Sequence, residues 1–156
     1  MHDDKPSRNR GVSLIELVLV VAILAVFAAI AAPRYGRASG RYRLDLAVGR
    51  VITDLRLAQS AARARSASCT VVFTVDTAQY QVTGLPAPDG QTGDYTVRLS
   101  AEPYRAQLVS VSFGGVPQVV FNGWGIPSSE GTVTVGIGNE QKTIAVARNT
   151  GQVQIQ

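Results

Sequence analysis

The arrangement of apolar and polar residues divides the chain into three segments. Residues 12–32 are apolar except for Ser13 and Glu16, and a helix needs about 20 such residues to cross a bilayer. Hydrocarbon offers the backbone no hydrogen-bond partner, so this run is expected to be helical. Residues 34–66 repeat apolar residues at steps of three and four, and residues 67–156 contain short apolar runs between turn residues.

The middle segment has the pattern of a helix with one apolar face. This stripe comprises Leu44, Val48, Val51, Leu55, Ala58 and Ala62, and it leaves out Arg50, Arg56, Arg63 and Arg65. Pro33 is expected to kink the helix, because it removes one backbone hydrogen bond and its ring crowds the preceding turn. The prediction is one long helix whose first half lies in the membrane and whose second half packs on a globular head.

The last segment is rich in Val, Thr, Tyr and Phe, which is typical of strands. Strands are predicted at residues 69–75, 80–83, 95–99, 108–113, 119–121, 132–137 and 143–147, with a short last strand at Val153 and Ile155. No helical pattern separates them, so the sheets should be antiparallel and built from hairpins. The predicted fold class is α+β.

Charge is distributed unevenly along the chain. Residues 34–66 contain eight arginines and two aspartates, a net +6, whereas residues 67–156 carry a net −2. Arg34, Arg37 and Arg41 either form a solvated helix face or contact lipid headgroups or acidic neighbouring subunits. DNA binding needs a basic surface that reaches phosphates, so nucleic acid is not expected as a partner of this head.

The composition argues against several kinds of catalytic and metal site. His2 is the only histidine and lies before the apolar run, so residues 12–156 cannot build a Ser-His or Cys-His pair or a His/Cys metal site. Cys69, the only cysteine, is interpreted as a small core residue. Asp89 and Asp94 lie in a turn without the alternating oxygen ligands of a calcium loop. No catalytic residue, metal or cofactor is predicted.

Trp124 lies in the turn sequence Asn-Gly-Trp-Gly. It is either an exposed recognition residue or, as we expect, a side chain folded over the edge of the core.

The N-terminal residues are compatible with three kinds of segment. A secretory signal would be cleaved after Ala29-Ile30-Ala31, but the apolar run is longer than the ~7–15 residues of a signal core. A plain signal anchor fits the length and leaves Glu16 unexplained, because a carboxylate in a membrane helix costs about 3 kcal/mol.

The third interpretation rests on a resemblance. A short basic leader ends in Gly11, the apolar run follows at once, and Glu16 is the fifth residue after that glycine; this arrangement resembles the type IV prepilin signature. The resemblance implies that a prepilin peptidase cuts between Gly11 and Val12 and methylates the Val12 amine. It also implies that Glu16 pairs with the N-terminal amine of a neighbouring subunit, since a buried carboxylate is tolerated beside a cation.

Two features depart from the prepilin pattern. Family members usually begin the mature chain with Phe or Met, where this chain has Val12. The arginines beyond the apolar run also oppose the positive-inside rule. The N-terminus is nevertheless placed in the cytoplasm, because cleavage requires it.

Residues 54–65, 119–127 and 143–153 resemble the H-type minor pseudopilins of type II secretion and related type IV minor pilins, the GspH/FimT-like group. The resemblance implies a pilin fold with a leader at 1–11, a transmembrane and filament-core helix at 12–33, an amphipathic helix at 34–66 and a β head at 67–156. The implied function is that of a structural subunit at or near the tip of a pseudopilus that supports protein export. The alternative is a minor pilin of a type IV pilus, acting in pilus assembly or DNA uptake.

The implied partners are the prepilin peptidase, other major and minor pseudopilins or pilins, an inner-membrane assembly platform and inner-membrane lipids. The expected location is the bacterial inner membrane, crossed once, with the head in the periplasm. An enzyme with a catalytic β head is the remaining class, and a hydrolase screen would test it.

Overall fold

The computed structural model describes residues 13–86 and 94–156, and the side chains of residues 30–38, 86 and 94 are outside that description. Helix α1 spans Leu14–Arg65, 52 residues. The chain forms two compact units, Met1–Ala38 and Ser39–Gln156. Gly11 and Val12 lie outside the described residues.

In the first unit, α1 begins directly after Ser13, whose carbonyl accepts a hydrogen bond from the Leu17 N–H at 3.1 Å. The described side chains from Leu14 to Ala29 are exposed to solvent in the isolated chain. Across the described residues, no helix has both the length and the apolar character needed to cross a membrane.

In the second unit, the apolar stripe of α1 packs into the core. All six residues predicted for it are at most 1% exposed, and Ala47 joins them. The helical period therefore identified the buried face of α1 correctly.

The described part of the head contains eight strands. They are β1 Cys69–Thr74, β2 Gln79–Pro86, β3 Asp94–Arg98, β4 Gln107–Phe113, β5 Gln118–Phe121, β6 Gly131–Ile137, β7 Glu140–Val146 and β8 Val153–Ile155. All eight predicted strands are present, with ends shifted by a few residues. They form two four-stranded antiparallel sheets with orders β3-β2-β1-β5 and β4-β6-β7-β8.

The connection between the two sheets differs from the hairpin prediction. Sequential strands pair from β1 to β3 and from β6 to β8, but β4 pairs with β6 and β5 returns to pair with β1. Turn residues mark where a strand ends and carry no information about which sheet the next strand joins. The crossing brings Phe73 of β1 and Phe113 of β4 together, with stacked rings 6.1 Å apart between centroids, so the sheets share one core.

Candidate functional site

The first turn of α1 carries the one predicted site residue whose side chain the structure describes. Glu16 is exposed there, where the positive end of the helix dipole favours a carboxylate. Large apolar side chains surround it, including Leu14, 79% exposed, and Ile15, 75% exposed. A continuous apolar face of this kind marks a surface that lipid or another protein covers. Pro33 lies within α1, and its kink stays a prediction.

A polar cluster between α1 and the first sheet was not predicted. Asp54 on α1 is only 3% exposed and is the acceptor for three side chains. Tyr80 of β2 donates to Oδ2 at 2.5 Å, Tyr95 of β3 donates to Oδ1 at 2.9 Å, and Arg50 Nε donates to Oδ2 at 2.9 Å. Arg50 also donates through Nη2 to the Tyr95 hydroxyl, and its guanidinium carbon lies 5.7 Å from the centre of the Tyr95 ring.

The electrostatics of this cluster keep its tyrosines neutral. Burial, reinforced by the adjacent Asp54 carboxylate, raises the pKa of Tyr80. Burial, followed by the hydrogen bond to Asp54, raises the pKa of Tyr95 to about 12. Burial acts to lower the pKa of Arg50, but the hydrogen bond and the charge of Asp54 outweigh it and raise the pKa overall. The cluster therefore presents neutral donors and a cation to one carboxylate, and it ties α1 to β2 and β3.

The helical spacing could have indicated that Asp54 is buried. The residue follows Val51 by three positions and precedes Ala58 by four, so it lies on the buried face of α1. A charged residue at such a position needs partners on the facing sheet. Tyr80 and Tyr95, the first residues of two predicted strands, are those partners.

One edge of α1 bonds to backbone carbonyls of the head through side chains spaced by three and four residues. Arg56 donates to the Val153 carbonyl at 3.0 Å, and Arg63 Nε donates to the Trp124 carbonyl at 3.1 Å. Between them, Gln59 donates to the carbonyls of Gly125 and Thr150, at 2.8 and 2.9 Å. The contacts with Trp124 and Gly125 fix the loop of residues 122–127, which we call the Trp124 loop, on the C-terminal end of α1.

The Trp124 side chain is 80% exposed, so the expectation that it folds over the core edge is wrong. The reason lies in the loop backbone. Asn122 Oδ1 accepts the N–H groups of both Trp124 and Ile126 at 3.0 Å, and this turn directs the indole away from the core. Of the two alternatives, the structure therefore supports the exposed side chain.

Two exposed ion pairs join α1 to the second sheet. Arg41 Nε lies 2.7 Å from Glu140 Oε1, and Lys142 Nζ lies 2.5 Å from Asp45 Oδ1. The Glu140 hydrogen bond and charge raise the pKa of Arg41. Arg41 therefore bonds within its own chain, and the side chains of Arg34 and Arg37 lie outside the described residues.

The remaining candidates are structural in the part of the chain that is described. Cys69 is buried, as predicted, and its Sγ donates to the Thr83 carbonyl at 3.3 Å. Burial raises the pKa of this thiol. No three His, Cys, Asp or Glu side chains among residues 13–86 and 94–156 are grouped so that they could hold a metal ion. Asp89 lies outside the described residues.

Comparison with known families gives two matches. The model of "Type II transport protein GspH" matches residues 47–151, and that of "Prokaryotic N-terminal methylation motif" matches residues 6–32. A search of curated proteins found no significant match.

Solved structures show the same fold at low sequence identity. The minor pseudopilin EpsH from the type 2 secretion system of Vibrio cholerae is 18% identical with a TM-score of 0.56, over 73% of this chain and 96% of EpsH. The type IV minor pilin FimU of Pseudomonas aeruginosa is 15% identical with a TM-score of 0.55, over 74% of this chain and 90% of FimU. These likenesses confirm the predicted α+β pilin-like fold, a helix packed on antiparallel sheets.

Proposed function

Because this chain belongs to the family of type II transport protein GspH, we propose that it is a minor pseudopilin of the type II secretion pseudopilus. In this role it is a structural subunit that supports protein export across the outer membrane. Its proposed place is at or near the tip of the pseudopilus, where it helps to start assembly.

The order of the two family matches along the chain carries this proposal. The methylation motif at residues 6–32 covers the second half of the proposed leader and the exposed apolar part of α1. The GspH match at residues 47–151 falls within the compact unit Ser39–Gln156. An anchor for assembly thus precedes a folded head, the organisation that a pilin-like subunit requires.

Proteolytic removal of the leader is the first step of the proposed assembly. The methylation motif implies cleavage by a prepilin peptidase and assembly with other pilin-like subunits. We place the cut between Gly11 and Val12, with methylation of the new Val12 amine. Glu16 is then positioned in the first turn of α1 to pair with the N-terminal amine of a neighbour, which offsets the cost of burying its carboxylate in a filament.

The apolar half of α1 has two successive environments in this proposal. Residues 12–33 first hold the subunit in the inner membrane, with the N-terminus in the cytoplasm and the head in the periplasm. Extraction by the inner-membrane assembly platform then moves the same residues into the apolar bundle of the filament. Their exposed leucine, valine and phenylalanine side chains support both steps, because each step covers the same apolar surface.

GspH-family proteins are structural subunits, and a purely structural role agrees with the polar cluster of the head. The three side chains around Asp54 all donate to it, so this carboxylate acts as a structural acceptor. We therefore propose that the protein acts through assembly and without a catalytic site.

A minor pilin of a type IV pilus is the second candidate, favoured by the structural likeness to FimU. The GspH family match places type II secretion first. The two assemblies differ in what they do. The type II secretion system releases folded proteins into the medium, whereas the type IV pilus system displays surface pili or takes up DNA.

Deletion and complementation in the bacterium that encodes the chain would test the proposal. The deletion strain should lose secreted enzymes from its medium and keep its surface pili, and the wild-type gene should restore secretion. Glu16→Ala should be processed and accumulate in the membrane without restoring secretion, whereas Ser13→Ala serves as the matched control. Loss of pili or of DNA uptake with normal secretion would favour the minor pilin instead.

A further inference from the structure

We propose that the Trp124 loop, together with the arginines of the adjoining end of α1, docks onto an acidic surface of another pilin-like subunit in the same assembly. This inference rests on the proposed function and assigns a contact surface to it. The surface consists of Trp124, Ile126, Arg56, Arg63 and Arg65.

The loop is built to hold its tryptophan outward. Each described backbone polar group between Trp124 and Ile126 has a partner. Besides the two N–H groups held by Asn122 Oδ1, the Gly125 N–H donates to the Asn122 carbonyl at 2.7 Å, and the Ile126 carbonyl accepts from the Asn122 N–H at 3.0 Å. Side chains of α1 bind the remaining carbonyls, those of Trp124 and Gly125.

Two glycines let this loop lie directly against α1. A Cβ at Gly123 would come within 2.8 Å of the Ser66 backbone. Gly125 has a φ of +73°, and a Cβ there would lie 2.2 Å from Arg63 Nε. The loop backbone is therefore fixed on the helix end, and it does not have to be ordered when the indole binds a partner. Such preorganised aromatic residues are typical of the few positions that dominate an interface.

The charges beside the loop indicate the partner. Arg56, Arg63 and Arg65 are exposed, and within the described residues none of them lies within ion-pair distance of a carboxylate. Their carbonyl acceptors, including that of Gly84 for Arg65, are uncharged, so no carboxylate among the described residues neutralises these arginines. An acidic partner surface with an apolar recess complements this arrangement.

A subunit of the same design has a head of the opposite charge. In this chain, residues 34–66 have a net charge of +6 and residues 67–156 a net charge of −2. At the other end of the basic helical segment, Arg41 already pairs with the head residue Glu140. The same pairing of helix arginine with head carboxylate, made between two subunits, would occupy the arginines that no carboxylate among the described residues reaches. A head-to-helix contact is heterologous, which suits growth of a helical filament.

Photo-cross-linking in cells tests this contact with the full-length chain. Trp124→p-benzoylphenylalanine should produce an adduct with a pilin-like subunit encoded beside this gene, and mass spectrometry should place the linked residue next to Asp or Glu. The same photoreactive residue replacing Val116, which is also exposed but lies in the β4–β5 turn, is the matched control and should not link to that site. Adducts with lipid, with DNA or with a secreted protein would overturn the proposal.

The contribution of Trp124 to affinity can be measured as binding between the purified full-length subunits in detergent micelles. Trp124→Ala should weaken the complex at least about tenfold, Trp124→Phe should weaken it less, and Val116→Ala should change it less than about twofold. Raising the salt concentration should weaken the wild-type complex, since exposed arginines contribute through screened charges. Equal affinity of Trp124→Ala and wild type would contradict the inference.

Failure of this inference can be distinguished from failure of the proposed function. If the Trp124 variants are processed and secretion remains normal, the docking surface is wrong and the pseudopilin assignment stands. If the wild-type chain is neither processed nor needed for secretion, the proposed function itself fails.

Discussion

Replacement of Asp54 by asparagine tests how the head is attached to its helix. The substitution keeps the shape of the side chain and removes its charge. One amide oxygen can still accept a hydrogen bond, but the amide nitrogen then faces donors that previously met a carboxylate oxygen. On Oδ2 those donors are Tyr80 and Arg50.

The expected loss follows from these contacts. A hydrogen bond to a charged group contributes about 1.5–3 kcal/mol, and a buried donor left without a partner costs about 1–3 kcal/mol. Tyr80 is fully buried, so the loss of its hydrogen bond accounts for the larger part of the expected destabilisation. The Arg50 side chain is 37% exposed, so water replaces part of its lost hydrogen bond. Its contribution to the expected loss therefore falls toward the lower end of these ranges. Asp54→Asn should therefore lower the free energy of unfolding by about 3 kcal/mol, a large part of the ~5–15 kcal/mol typical of a domain.

Urea unfolding of the full-length chain in detergent micelles, followed by the near-ultraviolet circular dichroism of the tyrosines, measures this loss. Tyr80→Phe should cost about 1–2 kcal/mol alone. Combined with Asp54→Asn, it should cost less than the sum by about 1 kcal/mol, because the two changes remove one shared interaction.

Asp45→Asn is the matched control. It removes an aspartate of the same helix whose ion pair with Lys142 is exposed, so it should cost less than about 1 kcal/mol. A loss below about 1 kcal/mol for Asp54→Asn, or equal losses at positions 54 and 45, would refute the reasoning.

Three further predictions follow from the head. Because the pKa of Tyr95 is raised to about 12, its stabilising effect is complete below about pH 10 and is lost as the pH rises through 12; Tyr95→Phe should flatten this alkaline decline in a pH series of unfolding curves. Gly131→Ala should cost about 2–3 kcal/mol in urea unfolding, since its Cβ would lie 2.3 Å from the Ser112 carbonyl oxygen of the neighbouring strand β4; an unchanged midpoint would contradict this. Gly49→Ala, on an exposed helical position with open space around it, should instead stabilise the head by about 1 kcal/mol.

The buried face of α1 could be predicted from sequence because helical spacing alone determines which side chains share a face. Leu44, Val51 and Ala62 needed no knowledge of the sheets to be placed in the core. The strands were predicted for a similar reason, since β-branched runs and turn residues are local features.

The assignment of strands to sheets depends on contacts that are distant in sequence. β5 returns to β1 across a separation of about fifty residues, and nothing local to Gln118–Phe121 records that partner. The stacking of Phe73 on Phe113 depends on the same return. Both follow from packing two apolar sheet faces together, which local patterns do not specify.

Asp54 and Trp124 were not predicted correctly from the sequence, for different reasons. Asp54 was counted only in the net charge of residues 34–66, although its helical position placed it on the buried face. Trp124 was placed against the core because large aromatic side chains usually bury their surface. The hydrogen bonds of Asn122 that turn it outward become visible only in three dimensions.

The intact mass of the full-length protein, expressed with and without a prepilin peptidase, tests whether the chain is processed as a prepilin. We expect the peptidase to remove residues 1–11 and the product to carry one added methyl group on Val12. An unchanged mass in both samples would contradict the pilin-like assignment and leave a plain signal anchor. Cleavage near Ala31 would contradict it as well and would indicate an exported β protein.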